Sequence, residues 1–598
     1  MCGIVGIFDG SGRLGPERLG AFCRRMCETL VHRGPDDGGV WVSADGRLTF
    51  GHRRLAVIDP SPLGHQPMES VAGVLTFNGE LYNFRGLRRV LEEQGQIFSS
   101  HCDSEVLLAG LDRDGVEFLD RVDGMYAFAH WDRRSERLIL ARDEFGEKPL
   151  YVYQRNGVVA FASELTALTV LPDFDDAVEA ETLALYLCFQ YVPAPATVYR
   201  STIKLHPGER MSVAADGSLR TLGRRRFTTG ALRAARRPIE DLADELEAIL
   251  AETLAERLIS DVPLGTFLSG GVDSSLVTAM VTKRLNRPLT TFSIGFVDHP
   301  DSEHARARAI ARHLGTDHVD EIVRPDVAAM GEFIGRSLDE PNGDSSCLPT
   351  WLLCRLARRR VTVALSGDGG DELFGGYGRY FSTLDDQRRA QAGGTGFRPG
   401  TAYYSSRLLV MPDAALIAML GAVPPRLAER LAALRQHLDS DPRPLGNLLR
   451  EADAADYLPG AVLAKVDRMS MQHSLEVRAP LLGRRVAAFA AGLAEEECFR
   501  DGTGKAVLKA VARRYLPADW IDGRKLGFGL PMKGWAEAEV LAATEALLRP
   551  GECRLAEWLG RSALDTFLVF QRERRYVYQL WMVLVLESWL RGHPARLA

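Results

Sequence analysis

No run of apolar residues in this sequence is long enough to cross a bilayer. The most apolar late stretch, Tyr578–Leu590, is short and contains Glu587, so a buried terminal helix is expected there instead of a membrane span. The N-terminus lacks a basic start and a long apolar region, which argues against a secretory signal peptide. Neither sign of charge dominates. A formal net charge of −6 on 598 residues is too mild to point to nucleic acid or an anionic membrane. The nine cysteines have no metal-ligand spacing, and an odd count without secretory features fits a reducing compartment. Cys23 and Cys27 fall on one helical face and read as core. No segment recurs at a fixed period. The G-x-x-x-x-G-K-[ST] turn that cradles a γ-phosphate is also missing, so γ-phosphate transfer is not expected. What remains is a cytoplasmic protein, too long for one hydrophobic core and therefore of two or more domains.

Two segments stand out against that background. The chain opens Met1-Cys2-Gly3-Ile4-Val5-Gly6-Ile7-Phe8, and far downstream it reads Ser269-Gly270-Gly271-Val272-Asp273-Ser274-Ser275. A cysteine after the initiator methionine can become the N-terminal residue, and its own α-amine can then activate the thiol. The glycine-rich turn, with one carboxylate and flanking hydroxyls, is suited to holding phosphates.

Up to about Leu205 the pattern is of short β-type runs: Gly3–Phe8, Leu48–Phe50, Leu55–Asp59, Val74–Phe77, Met125–Trp131, Arg137–Arg142 and Leu150–Gln154. Helical stretches are expected at Glu17–Leu30, Leu87–Gln94 and Glu105–Asp114, and together these predict antiparallel sheets layered with helices. An arginine-rich stretch from Gly223 to Pro238 lacks apolar periodicity, so 206–238 is expected to be a linker. After it, helix Ile239–Leu258 leads to strand Val262–Leu268, the SGGVDSS turn and helix Leu276–Leu285. Strand Thr290–Phe296, a helix near Glu303–Leu314, strand Val319–Val323, helix Pro349–Arg359 and strand Val361–Leu365 follow. Such alternation predicts a parallel sheet covered on both faces. Beyond about Arg379 the sequence is mostly helical. The expected domains are therefore 2–205 and 239–598.

A thiol that attacks a carboxamide needs donors for the oxyanion and groups for the substrate's charged ends. Asn78 and the N–H of Gly79, in Phe77-Asn78-Gly79-Glu80-Leu81-Tyr82-Asn83, are candidate oxyanion donors. Arg54 could pair with an α-carboxylate, and Glu80 and Asp103 could hold an α-ammonium. Taken singly these are weak signals, since Asn-Gly is also a hairpin turn. Taken in order, MCGIVGIF, His32-Arg33-Gly34-Pro35-Asp36-Asp37-Gly38, Gly51-His52-Arg53-Arg54-Leu55, FNGELYN and Asp103-Ser104-Glu105 resemble the glutaminase domain of class II glutamine amidotransferases. The likeness is greatest to the glutamine-dependent asparagine synthetases of the bacterial B type. It implies an N-terminal-nucleophile αββα sandwich with Cys2 exposed by loss of Met1, and it assigns the five partner residues the roles just given.

The second turn, Ser366-Gly367-Asp368-Gly369-Gly370-Asp371-Glu372, follows a predicted strand, and Asp273 and Asp371 could together bind Mg²⁺. The pair of turns resembles the PP-loop synthetase domain of the same family. There ATP is cut between its α- and β-phosphates, a carboxylate becomes an acyl-adenylate, and pyrophosphate leaves. The resemblance places nucleotide contacts on Leu268, Ile294, Ser366 and Gly367, and phosphate contacts on Ser269, Gly271, Asp273 and Ser274. It puts Lys505 near the reacting phosphate or carbonyl, and Asp368 is a candidate base for the attacking ammonia. Two residues depart from the family pattern: Asp368 replaces a Glu, and Gly483, in Ala479-Pro480-Leu481-Leu482-Gly483, replaces an Asp. The runs Asp339-Glu340-Pro341, Asp344-Ser345-Ser346, Lys465-Val466-Asp467-Arg468 and Leu475-Glu476-Val477-Arg478 strengthen the match. The implied substrates are glutamine, ATP and a carboxylic acid, aspartate first. The same mechanism on another acid, a ring-forming ligase of the β-lactam synthetase or lasso-cyclase type, and a non-catalytic sensing module are the competing expectations. A homodimer stays open.

Overall fold

The computed structural model describes every residue except 231–236, 298–302, 325, 412, 501, 524–534, 550, 552, 575–576 and 598. The first part is built on two six-stranded sheets. One runs in the order Thr202–Lys204, Tyr151–Arg155, Val158–Ala162, Gly3–Asp9, Leu48–Arg54, Asp37–Val42. The other runs Leu219–Arg224, Glu209–Val213, Arg137–Arg142, Gly124–Asp132, Gly73–Leu81, Met68–Glu69. Pairing within both is antiparallel.

Side-chain alternation decides the layers. Ile4, Phe8, Phe50, Val74, Ala127, Leu138 and Phe161 form one cluster between the sheets. Val5 and Ile7 face the other way, onto Leu19, Cys23 and Met26 of helix Pro16–Glu28. On the outer face of the second sheet, Leu75, Phe77 and Met125 meet Leu87, Leu91, Leu107 and Leu111 of helices Phe84–Glu93 and Asp103–Asp114. The result is an αββα sandwich. Each fully buried aliphatic or aromatic side chain in it contributes about 1.5–3 kcal/mol.

The second part is built on a five-stranded parallel sheet in the order Asp317–Val323, Thr290–Phe296, Leu264–Phe267, Val363–Leu365, Glu476–Arg478. Helices Ile239–Arg257, Val272–Ala279 and His304–Leu314 supply one cluster. Helices Cys347–Arg358 and Ala464–Met471 contribute to another. Strand order reverses between Leu264–Phe267 and Val363–Leu365, and both glycine-rich turns leave the sheet there. This is the place where open parallel sheets bind ligands.

Several sequence expectations need correction. Leu55–Asp59 is not a strand. Its chain is instead looped around Arg54, whose guanidinium takes the carbonyls of Ile58, Asp59 and Ser61. The segment 206–238 is not wholly a linker, because Glu209–Val213 pairs with Arg137–Arg142 and Leu219–Arg224 extends the same sheet. Part of that expected linker, 231–236, lies outside the described residues. Asp37–Val42, Val158–Ala162 and helix Ala180–Phe189 were not anticipated. The terminal helix Val577–Gly592 is buried as expected, and Glu587 in it accepts the N–H groups of Arg554 and Leu555. Among the described residues, no helix is long and apolar enough to cross a membrane.

Candidate active sites

Cys2 stands at the start of strand Gly3–Asp9, buried, with its N–H donated to Asn78 Oδ1 at 2.9 Å. Burial pushes the Cys2 thiol above its ordinary value; the N-terminal ammonium works against that shift. Asn78 is fully buried in strand Gly73–Leu81, and its Nδ2 has no hydrogen-bond partner among the described residues. A buried amide donor left open costs about 1–3 kcal/mol. Tied to Cys2 through Oδ1, the Asn78 side chain could offer its open Nδ2 to an oxyanion. Gly79 follows, at a place where a Cβ would lie 2.1 Å from Met125 O, so only glycine fits this strand crossing.

Glu80 and Asp103 are both buried, and Asp103 Oδ2 accepts the Leu81 N–H at 2.8 Å. Burial, and then the neighbouring Asp103, drive the Glu80 carboxyl far above its usual range. Burial raises Asp103 as well. Two buried acids whose charged forms are penalised by burial favour an incoming cation. Arg54 is also buried, but the loop carbonyls of Ile58, Asp59 and Ser61 already occupy much of its fork. A carboxylate would have to share it.

At the switch point, Ser269 Oγ and Ser274 Oγ lie 3.0 Å apart, and Gly271 N–H donates to Ser269 Oγ at 3.2 Å. Gly270 sits at φ +85°, the left-handed region that lets the turn close. Helix Val272–Ala279 begins in this turn and presents its N-terminus there. The second turn packs directly on the first: a Cβ on Gly367 would lie 2.7 Å from Ser274 N. Leu268 and Ile294 are buried on the adjoining strands, and Ser366 N–H donates to Arg478 O. Lys505 joins the site from the far end of the chain. Its Nζ is 2.5 Å from Asp273 Oδ2 and 2.7 Å from Asp371 Oδ1. The two carboxylates therefore converge on one point, as binding of a divalent cation requires. Among the described residues no group of three or more His, Cys, Asp or Glu side chains could hold a metal. Two carboxylates completed by phosphate oxygens and water are what Mg²⁺ commonly takes, so the donor set fits. Asp368 is raised, mainly by burial, and its N–H approaches Ser366 Oγ at 3.5 Å.

The two constellations meet at a buried seam whose residues carried no individual role in the sequence. Arg33 pairs with Asp467 at 2.8 Å and Glu164 at 2.7 Å, and Arg468 with Asp339 at 2.6 Å. Lys465 pairs with Asp344 at 3.0 Å. Arg478, on the last strand of the parallel sheet, reaches Glu80 Oε2 at 3.3 Å. Those charged runs were visible as motifs, but motifs do not say which surface they face. A small cavity lies in the seam, lined by Met1, Lys148, Ser366, Asp368, Asp467 and Val477 among others.

Family models match both halves of the chain. The asparagine synthase family matches residues 245–591, and the glutamine amidotransferase domain matches residues 1–223. Asparagine synthetase [glutamine-hydrolyzing] 1 of Bacillus subtilis is 31% identical over 90% of this chain and 88% of its own. A putative asparagine synthetase [glutamine-hydrolyzing] of Mycobacterium tuberculosis is 34% identical over 98% of this chain and 97% of its own. Among solved structures, the glutamine phosphoribosylpyrophosphate amidotransferase of B. subtilis covers 61% of this chain and 82% of its own, at 17% identity and a TM-score of 0.28.

Proposed function

This chain belongs to the asparagine synthase family, and from that premise we propose that it is a glutamine-hydrolysing synthetase that converts aspartate to asparagine. Once Met1 is removed, Cys2 Sγ attacks the glutamine amide. Asn78 Nδ2 and the Gly79 N–H receive the oxyanion of the tetrahedral intermediate; the freed Cys2 α-amine, which took the thiol proton, returns it to the leaving nitrogen, so ammonia departs as the C–N bond breaks and leaves a thioester that water then hydrolyses. Glu80 and Asp103 hold the α-ammonium, and Arg54 meets the α-carboxylate.

At the second site Leu268, Ile294, Ser366 and Gly367 take the nucleotide, and Ser269, Gly271 and Ser274 take phosphate oxygens. Asp273 and Asp371 would hold Mg²⁺, which when bound neutralises charge on the leaving pyrophosphate. Lys505 neutralises charge on the reacting phosphate or carbonyl. The acceptor carboxylate becomes an acyl-adenylate; ammonia displaces AMP, and Asp368 takes the proton.

The observation that best supports this reading is the seam cavity, whose lining brings together Met1 from the first half and Ser366 and Asp368 from the second. Ammonia moving through it stays out of water and remains unprotonated and nucleophilic. Pyrophosphate release measured with aspartate and with simple mono- and dicarboxylic acids tests the acceptor. A rate above background with aspartate alone supports aspartate. A rate only with another acid would move the activity to that acid.

A further inference from the structure

Glu147 lies in the loop between strands Arg137–Arg142 and Tyr151–Arg155, only 7% exposed. It is the wall between two cavities. On one side is the seam cavity that touches Ser366 and Asp368. On the other is a second cavity, lined by Asp123, Tyr126, Asp143, Glu144, Arg225 and Arg484 among others. That second cavity reaches the surface at Arg225, whose side chain is 40% exposed. The two cavities share no other lining residue.

The Glu147 carboxyl takes no hydrogen bond and no ion pair among the described residues. Nearby, the Tyr82 hydroxyl is buried and also has no hydrogen-bond partner among the described residues. A buried hydroxyl left open is costly unless a group with N–H or O–H atoms visits it, and the unpaired Glu147 carboxyl lining both cavities offers such a visitor a second acceptor. The charged groups facing Glu147 are Asp143 and Lys148 on its own segment, Asp123 on the loop before strand Gly124–Asp132, and Arg257 at the end of helix Ile239–Arg257. Arg257 lies over the Tyr82 ring at 3.9 Å.

We propose that the outer cavity is an entrance for ammonium from solution, and that Glu147 takes the ammonium proton as the nitrogen passes inward. This inference rests on the two-site synthetase function argued above. One N–H bond of ammonium breaks and one O–H bond forms on the Glu147 carboxylate. The electron pair stays on nitrogen, so ammonia enters the seam cavity next to Asp368. The carboxylic acid then returns its proton to water through the outer cavity. Burial, and then Asp143, push Glu147 up to about 8, a basicity suited to deprotonating ammonium. Glutamine-derived ammonia starts on the inner side and has no need of this route.

The test uses the full-length enzyme with Glu147→Gln, which keeps shape and loses the base. Amide formation is measured with ammonium chloride and, separately, with glutamine. The expected result is a tenfold or greater fall in kcat/KM for ammonium, with the glutamine-dependent rate kept within about twofold. That retained rate is also the control for folding. Tyr82→Phe should raise KM for ammonium with glutamine use unchanged. Equal losses with both nitrogen sources, or no loss with either, overturn the entrance. If the unmodified enzyme makes no amide from ammonium at all, the two-site function itself falls and the inference falls with it.

Discussion

The α-amine of Met1 lies 2.8 Å from Glu476 Oε2, and both groups are fully buried. The start of the glutaminase half is thereby docked onto the last strand of the parallel sheet, beside Arg478, whose Nε donates to Glu476 Oε1 at 2.7 Å. Burial opposes the charged form of Glu476, but the Met1 ammonium and Arg478 outweigh it and hold the carboxyl down to about 2. Removal of Met1 would take one partner away and set the Cys2 amine beside its own thiol.

Cys2→Ala should therefore abolish glutamine hydrolysis and glutamine-dependent synthesis, while added ammonium still supports amide formation. Protein that retains Met1, identified by intact mass, should show the same split. Undiminished glutaminase activity in either form would remove Cys2 from the role of nucleophile.

The ion pair also predicts a pH effect. A carboxyl depressed in the folded state contributes stability above its unfolded value near 4.5, and that contribution is lost as pH falls toward about 2. Protein that keeps Met1 should accordingly unfold at lower pH than the processed form. Acid titrations followed by circular dichroism should show this between those two values, and identical acid midpoints would refute it.

Asn78→Ala removes the open Nδ2 donor beside Cys2. Loss of one oxyanion donor costs about 10²–10³ in kcat, and KM for glutamine should move far less. Because Asn78 Oδ1 also accepts the Cys2 N–H, Asn78→Asp is the informative companion. It keeps the acceptor and loses the donor, so it should be nearly as slow.

How much of this was legible beforehand differs between elements. Strand Thr290–Phe296 is rich in β-branched and aromatic residues, interrupted only by Ser293 and Gly295, and sequence marks it well. Asp37–Val42, with two glycines, has no such signature; it becomes a strand because Leu48–Arg54 offers it an edge. Glu209–Val213 was hidden in the same way, beside an arginine-rich stretch. At the sites, turn chemistry showed in the glycines of the two loops, which are needed for close approach. The Arg478–Glu80 and Arg33–Asp467 pairs join residues hundreds of positions apart, and nothing local in a sequence encodes such a partnership.

Asp273→Asn or Asp371→Asn should stop ATP-dependent synthesis and leave glutamine hydrolysis measurable. Each change removes one of the two carboxylates that converge on Lys505 Nζ. Labelled ATP should yield AMP and pyrophosphate in the unmodified enzyme. ADP and phosphate as products would contradict cleavage between the α- and β-phosphates.

The family resemblance leads to the expectation of an aspartate where Gly483 stands, and the surroundings of Gly483 say what a carboxylate there would meet. A Cβ there would lie 2.7 Å from Thr253 Cγ2 and 3.0 Å from Arg257 Nη2, so a carboxylate at 483 would meet Arg257. Here Arg257 instead reaches across the seam to Asp123 Oδ1 at 3.2 Å, and that same oxygen accepts the Arg484 N–H. Asp123→Ala should leave a buried guanidinium without its carboxylate and destabilise the protein by about 3 kcal/mol. Gly483→Asp alone should cost about 1–3 kcal/mol through crowding against Thr253. The double variant should be more stable than the sum of the two losses, because the new carboxylate serves Arg257. Chemical denaturation of the four proteins closes the cycle. Additive losses would mean that residue 483 and Asp123 do not share Arg257.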